Sequence, residues 1–440
     1  MTMTNATQTQ SRQKLRWNLM LRQAKPRQKG AVIITTMLTL LALLGFMGIA
    51  TDFGHLFVVK TELQTAADSC ALAAVQELDG GSDALVRATR AGKTAGNLNK
   101  VNFQGAAAGL VDGDVVFSDA LNGSYSHTFS PVANAKYAKC TSTKAGMAPW
   151  LLQALTAVNG NTAFSATQGV SALGVATRTP SETACAIPVQ IRPKAGGTAP
   201  NYGYTPGEWI PSLYNETGPG PPAAIGPGHF GWANLDGSTN ATATKNELKG
   251  NGFCNLKSGD TIGTSGAKFG ASEEWNSRFG LYKSGGGVGN PTITTAPPDT
   301  TGYSYTNVNW PSKSNAVGNF LAKRADFRSY GDLIDARATG NTITGLSLPG
   351  AYNDNNMGTH AAGPRALATY GASRRLVLAP IVASTTLTDW ACVLMLAPID
   401  KPTTTIYLEF VGNAGAITSP CASAGKPGGT IGPLVPGLVQ

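Results

Sequence analysis

Residues Gly30 to Ala50, GAVIITTMLTLLALLGFMGIA, form the longest uncharged apolar run in the chain. A hydrocarbon layer about 30 Å thick takes roughly 20 helical residues to cross, and the run has that length. Arg12, Lys14, Arg16, Arg22, Lys25, Arg27 and Lys29 all precede it, with no Asp or Glu among them. Excess positive charge stays on the cytoplasmic side of a crossing, so the residues that follow are expected outside the cytoplasm. Ala31, Leu40, Leu44 and Asp52 are then membrane or helix-packing positions; Asp52, just past the run, reads as a charge at the water boundary, with a buried carboxylate seeking a partner on another subunit as the sharper alternative. A cleaved secretory signal is the alternative, since Gly48, Ile49 and Ala50 offer a small-x-small cut site. The run exceeds a signal's usual apolar core, and the helical pattern continues past it without a breaker, which favours retention as an anchor.

That pattern continues through TDFGHLFVVKTELQTAADSCALAAVQELDGG, residues 51–81. Leu63, Ala66, Ala67, Cys70, Ala71, Ala74 and Leu78 recur at three- and four-residue steps and line one helical face. Asp79, Gly80 and Gly81 supply the stop. One helix from Ala31 to Leu78 is the expectation, its first half in lipid. The small residues Ala67, Ala71 and Ala74, with Leu63, let another helix or a sheet approach closely.

The chain has 440 residues, enough for two or three folded units. Charged residues make up only 13%, with 53 Gly and 26 Pro, which lowers the helix content expected beyond the N-terminal segment. The fold class predicted is α+β: one long transmembrane and juxtamembrane helix, then a β-rich, loop-rich extracytoplasmic region. Net charge is +9, but removing the tail's seven positive charges leaves 27 Lys and Arg against 25 Asp and Glu, or +2. Basicity is thus a topology signal, with no stripe to hold phosphates and no nucleic-acid partner expected.

The organisation expected is a basic cytoplasmic tail over 1–29, the helix and its amphipathic extension over 30–81, and a small α+β unit over 82–187. Within that unit, 82–104 favour helix, DGDVVFSDALNG and SYSHTFSPVANAKYAKC alternate like strands, PWLLQALTAV turns helical, and FSATQGVSALGVATR reads as a long strand or strand pair. Residues 188–227 are a Pro/Gly-rich loop or linker, and 228–440 a β-rich region. There, 228–283 read as a self-contained stretch around Trp232, Phe253, Trp275 and Phe279, and Ser284 to Tyr305 as a loop. SRRLVLAPIVAS, WACVLMLAPI and TTIYLEFVGNA suit buried strands, and the Gly-rich tail after Cys421 is expected to fray.

Six cysteines occur, with no CxxC pair and no zinc spacing. Outside the cytoplasm Cys140, Cys185, Cys254, Cys392 and Cys421 are disulfide candidates whose pairing the sequence does not assign. Cys70, on the helix near the membrane, reads equally well as a buried free thiol.

No HExxH, GxSxG or P-loop motif is present. Asp112 with Asp114, and Glu273 with Glu274, are more economically solvated surface than acid/base pairs. His229 in GHFGWANLDG, with Asp236, is the one acid/base couple worth naming. A compact turn in which Phe230 and Trp232 pack explains the motif better, because His229 lacks a group to orient it. No catalytic, cofactor-binding or metal-ligating residue is nominated, and neither a cofactor nor a small-molecule substrate is expected.

The stretch from Arg27 to Leu78 resembles the N-terminal segment of the Tad family, TadE/TadG-like proteins of Flp pilus assembly. The likeness rests on Lys29, Gly30 and Ala31 before the run, and on Asp52 and Gly54 after it. The block Lys60, Thr61, Glu62, Leu63, Gln64 follows, then Ala66, Ala67, Asp68, Ala71, Leu72 and Ala73. GHFGWANLDG and the late strands WACVLMLAPI and TTIYLEFVGN are a weaker match. The resemblance implies a single-pass bacterial inner-membrane protein, N-terminus cytoplasmic and bulk periplasmic. Its partners would be the lipid bilayer and other pilus-assembly or envelope membrane proteins. Two departures stand out: no DxSxS metal motif of a von Willebrand factor type A domain occurs, and Thr35 stands where prepilins usually carry Glu. The remaining readings are a membrane-tethered hydrolase, which would require a concave site with converging carboxylates around His229 or Asp236, and an adhesin or ligand-binding module that would use the Pro/Gly-rich loops and exposed aromatics as its contact surface.

Overall fold

A computed structural model describes residues 31–149, 167–212, 227–237, 241–250, 252–264, 271–283, 289–325, 344–346, 367, 369–399, 405–421 and 425–440. The basic tail, the PWLLQALTAV segment from residue 150 on and residues 213–226 of the expected 188–227 loop lie outside them; the described part of that loop is no mere linker, because strands Val189–Ile191 and Glu208–Pro211 in it pair into a sheet. Two compact units emerge, one of Met1–Leu63, Lys100–Ala106 and Thr143–Ala172, the other of Gln64–Asn99, Ala107–Ser142 and Leu173–Gln440.

The expected long helix is present as Ala31–Gln76. Its three- and four-residue stripe is where burial falls: Leu63, Ala66, Ala67, Cys70, Ala71 and Ala74 are all 0% exposed. A second helix, Ala84–Leu98, follows the turn and packs on that stripe in the second unit. A Cβ on Gly92 would lie 3.0 Å from the Ala74 Cβ, 3.0 Å from the Cys70 carbonyl oxygen and 3.2 Å from its Sγ. One on Gly96 would lie 3.2 Å from the Ala66 carbonyl oxygen. Glycines four apart therefore face Ala66, Cys70 and Ala74, also four apart, and the two backbones meet with almost no side chain between them. Gly174 brings a strand equally close on another side, its notional Cβ 3.0 Å from the Ala67 carbonyl. The small stripe thus admits both a helix and a sheet. Gly92→Val is expected to destabilise this unit by about 1–3 kcal/mol, the usual cost of overpacking, read as a lower midpoint in urea; an unchanged midpoint would contradict the close approach.

Arg87 fastens the turn between the helices, bonding Glu77 at 2.6 Å, Asp79 at 2.7 Å and Asp83 at 3.1 Å. Asp79 also accepts the Gly81 N–H at 2.9 Å. Burial pushes the Asp79 pKa up, but the Gly81 N–H and the Arg87 guanidinium outweigh it, and the net direction is down. The folded chain thus holds this proton less tightly than the unfolded chain. The contribution is present above the ordinary aspartate range of about 4 and is lost as pH falls through the lower folded value. Acid titration of stability should show this loss in the parent and a smaller one in Asp79→Asn.

The smaller sheet has the order Leu434–Leu438, Gln168–Pro180, Tyr137–Met147, Val115–Ser118. The long-strand reading of FSATQGVSALGVATR holds for its described part. The tail after Cys421 was expected to fray; instead Leu434–Leu438 pairs antiparallel with the long strand, Leu434 opposite Pro180 and Leu438 opposite Ala176. Val435 is 2% exposed, so alternating apolar residues in LVPGL bury one face and offset the flexibility of the flanking glycines. Arg178, on the long strand, donates to the carbonyls of Leu78 at 3.2 Å and Ile417 at 3.0 Å.

The larger sheet has nine strands among the described residues, with Gly263–Thr264, Phe230–Asn234, Val189–Ile191, Leu376–Ala383, Thr386–Met395, Tyr407–Asn413 and Glu208–Pro211 in order. Ala184–Ala186 and Phe253–Leu256 branch from it. The three late apolar runs are its centre, and alternation explains their composition. Ala391, Val393 and Met395 enter one core with Trp232, Trp275 and Phe279, while Trp390, Cys392, Leu394 and Leu396 enter another with Tyr305 and Phe320. A strand covered on both faces reads as a continuous apolar run. Residues 228–283 are accordingly not self-contained: Trp232 and Trp275 meet edge-on at 5.9 Å in a core that also holds Ile187, Ile381 and Phe410.

Three buried arginines knit this region. Arg278 donates to the carbonyls of Leu248 and Gly250 at the end of helix Ala241–Lys249 and to that of Arg374. Arg374 adds donations to Leu248 and Lys249, so two cations cap the negative end of one helix. Full burial, with the neighbouring Arg374 charge, pushes the Arg278 pKa well down. Asp299, 0% exposed, accepts the backbone N–H groups of Thr301, Arg374 and Arg375.

All six cysteines are paired: Cys70 with Cys140, Cys185 with Cys254, and Cys392 with Cys421. Cys70 is therefore no free thiol. Its helical position faces the strand Tyr137–Met147, a non-local neighbour that sequence spacing does not disclose.

Candidate functional site

The long helix divides by environment. The large apolar side chains from Val32 to Met47, Leu40 and Leu44 among them, are 56–72% exposed. A side chain of this kind gains about 1.5–3 kcal/mol on leaving water, so eleven of them side by side on a bare helix call for an apolar surrounding. Val32–Gln76 is the helix long and apolar enough to cross a membrane among the described residues. Ala31 opens it. The remaining packing positions, Leu63, Ala67, Ala71 and Ala74, are fully buried against protein.

Of the two readings of Asp52, the boundary charge is not what the helix shows. Instead of an exposed boundary charge, it is 5% exposed, turned inward on the helix while Phe53 and Phe57 stand out at 49% and 70%. Helical rotation explains this, since residues one apart are about 100° apart around the axis.

Beside this part of the helix, in the first unit, lies a turn that the sequence reading missed. Residues 82–104 favoured helix, but the helix stops at Leu98, with Asn99 extended at φ −79° and ψ 138°. Asn102, Phe103 and Gln104 then take φ of 61°, 58° and 61°. Three consecutive non-glycine residues in the left-handed region cost about 1–3 kcal/mol each. Two helix side chains hold them there. His55 Nε2 meets Asn102 Oδ1 at 2.8 Å, and its ring stacks on Phe103 at 5.0 Å and 8°. Glu62 accepts the Phe103 N–H at 3.2 Å and the Gln104 amide at 3.3 Å. Even so, Phe103 remains 60% exposed. The run Leu-Asn-Lys-Val-Asn was the available sequence signal, with Asn at two positions that favour helix exit.

The other nominated residues are separate. His229 is held by the Pro227 carbonyl at 3.0 Å, and Asp236 is exposed beyond the far end of strand Phe230–Asn234. Seven residues of extended chain span roughly 20 Å, so the two do not form a couple. Asp112 pairs with Lys93 at 2.6 Å, and Asp114 accepts the Val111 N–H. Glu273 bonds Lys283 at 3.1 Å, while Glu274 is buried with Lys245 and Lys249 each 3.9 Å away. Burial pushes the Glu274 pKa up, against those two lysines. No cluster of three metal-type side chains occurs among the described residues.

Among the described residues a groove large enough to hold a ligand is present. It encloses about 710 Å³ between the second helix and the 127–132 segment, lined by Val86, Thr89, Arg90, Lys93, His127 and Ser130 among others. His127 Nδ1 is engaged by the Val115 carbonyl at 2.9 Å.

Among known protein families, the model for Flp pilus-assembly TadE/G-like proteins, Tad, matches residues 30–77. That match begins at the glycine before the apolar run and ends with the buried stripe. No curated protein and no solved structure matches the chain.

Proposed function

We propose that this chain, carrying a Tad segment at 30–77, is a non-enzymatic, single-pass membrane protein of the bacterial cell envelope. It serves as a component or assembly factor of a Tad/Flp-type pilus or related secretion apparatus. The basic tail lies in the cytoplasm and the bulk of the chain in the periplasm, bonded by disulfides suited to that compartment. The observation that carries the reading is one helix with two surfaces inside the matched stretch. Its first part exposes apolar side chains and uncharged threonines whose hydroxyls bond back to the helix's own carbonyls, and its second is lined with Ala and Cys that pack within the protein. The work is positional: the helix fixes the folded region at the bilayer, where it meets other membrane proteins of the apparatus.

Protease treatment of spheroplasts should digest the folded region and leave the tail, and alkaline carbonate should not extract the protein. Leu41→Lys with Leu44→Lys places two charges at the centre of the run, each costing about 2.5–3.5 kcal/mol in insertion, and should move the protein out of the membrane fraction. An unshifted fraction would contradict the anchor. Deleting the gene should abolish pili, while His229→Ala and Asp236→Ala leave them intact; pili lost in either variant would favour the hydrolase.

A ligand-binding module is the second reading, favoured by the groove of Arg90, Lys93 and His127. Adhesion lost in Arg90→Ala with normal pili would support it.

A further inference from the structure

We propose that the turn Asn102–Gln104 is a lipid-docking foot, which seats Phe103 together with Phe53 and Phe57 in the headgroup layer on the outer side of the membrane. This rests on the reading of Ala31–Gln76 as a membrane-spanning helix. Three observations lead to it. The turn is built at a cost in backbone conformation, yet the side chain at its centre is delivered outward, 60% exposed. Two helix side chains, His55 and Glu62, are committed to holding it in that pose. A device that spends this much to expose a phenylalanine implies a surface that receives it.

Position along the helix identifies that surface as lipid. If the hydrocarbon crossing ends near Ala50, residues 53 to 57 lie about 5–10 Å beyond it, at 1.5 Å per residue. The headgroup regions add about that depth on each side of the hydrocarbon. Phe103 stacks on His55, which places it at the same level. Phe53 and Phe57 continue the apolar surface of the run without a break.

Charge agrees. Among the described residues of this unit, Lys60 and Lys100 are exposed and Lys144 half-buried, whereas the carboxylates are Asp52, buried, and Glu62, engaged by the turn. Lys100, exposed two residues before the turn, suits the anionic headgroups of a bilayer, while Lys60 donates to the Ser171 carbonyl.

The six native cysteines are all in disulfides, so one added cysteine is the sole thiol for an environment-sensitive fluorophore. Labelled full-length Phe103→Cys and Leu44→Cys are reconstituted in vesicles of phosphatidylcholine and phosphatidylglycerol, with lipids carrying a nitroxide at a shallow or a deep chain position. Leu44 should be quenched by the deep probe. Phe103 should lose about half of its emission to the shallow one, as expected for an apolar group seated at the headgroup boundary. Quenching at position 44 without quenching at position 103 overturns the foot and leaves the anchor standing. Absence of quenching at position 44 overturns the spanning helix itself.

Discussion

Arg375→Ala is expected to destabilise the larger sheet by about 3–5 kcal/mol, as stranded buried carbonyls and the loss of a large buried side chain together would cost. The guanidinium donates to the carbonyls of Met395, Thr301, Tyr303 and Leu396 at 2.7–3.1 Å. It also lies 4.2 Å from the centre of the Phe279 ring and 5.0 Å from that of Phe320. Phe279 belongs to one core of the sheet and Phe320 to the other. Truncation therefore strands buried acceptors, each costing about 1–3 kcal/mol when unmatched, and opens a void where both cores touch the same side chain. Arg375→Lys keeps the charge but not the planar fork, and should recover only part of the loss. Denaturant unfolding followed by tryptophan emission, with Trp275 and Trp390 fully buried on the two faces, reads both cores. A shift in midpoint equivalent to less than about 1 kcal/mol would show that water replaces the guanidinium and that the network is dispensable.

Removing the link between helix and sheet should cost about as much. Cys70 and Cys140 are both 0% exposed and lie 70 residues apart in sequence. Loop-closure entropy for a ring of that size corresponds to about 4 kcal/mol. Cys70→Ala with Cys140→Ala should lower stability by that order under oxidising conditions. A reductant should lower the parent by more than the variant, which has only the Cys185–Cys254 and Cys392–Cys421 links left to lose. If the double variant unfolds at the parent's midpoint, the unfolded chain gains no freedom when the link is lost, and the cross-link is redundant.

What could be read without coordinates followed periodicity. The Ala stripe of Ala67, Ala71 and Ala74 announced its buried face because a helix places every third or fourth residue together. Leu376–Ala383, Thr386–Met395 and Tyr407–Asn413 stood out because burial on both faces leaves no room for polar alternation. Features set by distant partners stayed hidden. Cys70 looked like a solitary helical thiol because its partner lies on a strand. Nothing in SRRLVLAPIVAS marks Arg374 and Arg375 as buried, and only the fold brings Asp299, Leu248 and Met395 around them. The Phe103 turn was masked by residues of good helix propensity just before it, and propensity yields to tertiary contacts such as those of His55 and Glu62. Asp52 was assigned to water because carboxylates usually lie there; its inward rotation is a matter of helical phase against neighbours.

The attachments near Leu78 have a mechanical meaning. Within the second unit, Cys70 is bonded covalently to the strand Tyr137–Met147, while Arg178 grips both the Leu78 carbonyl and that of Ile417, inside the ring closed by Cys392 and Cys421. Traction on the helix is thus carried by a sulfur–sulfur bond and a cross-linked loop as well as by the packing at Ala66 and Ala67. A fold wired this way should tolerate sustained tugging in an oxidising compartment and begin to creep once its cross-links are reduced.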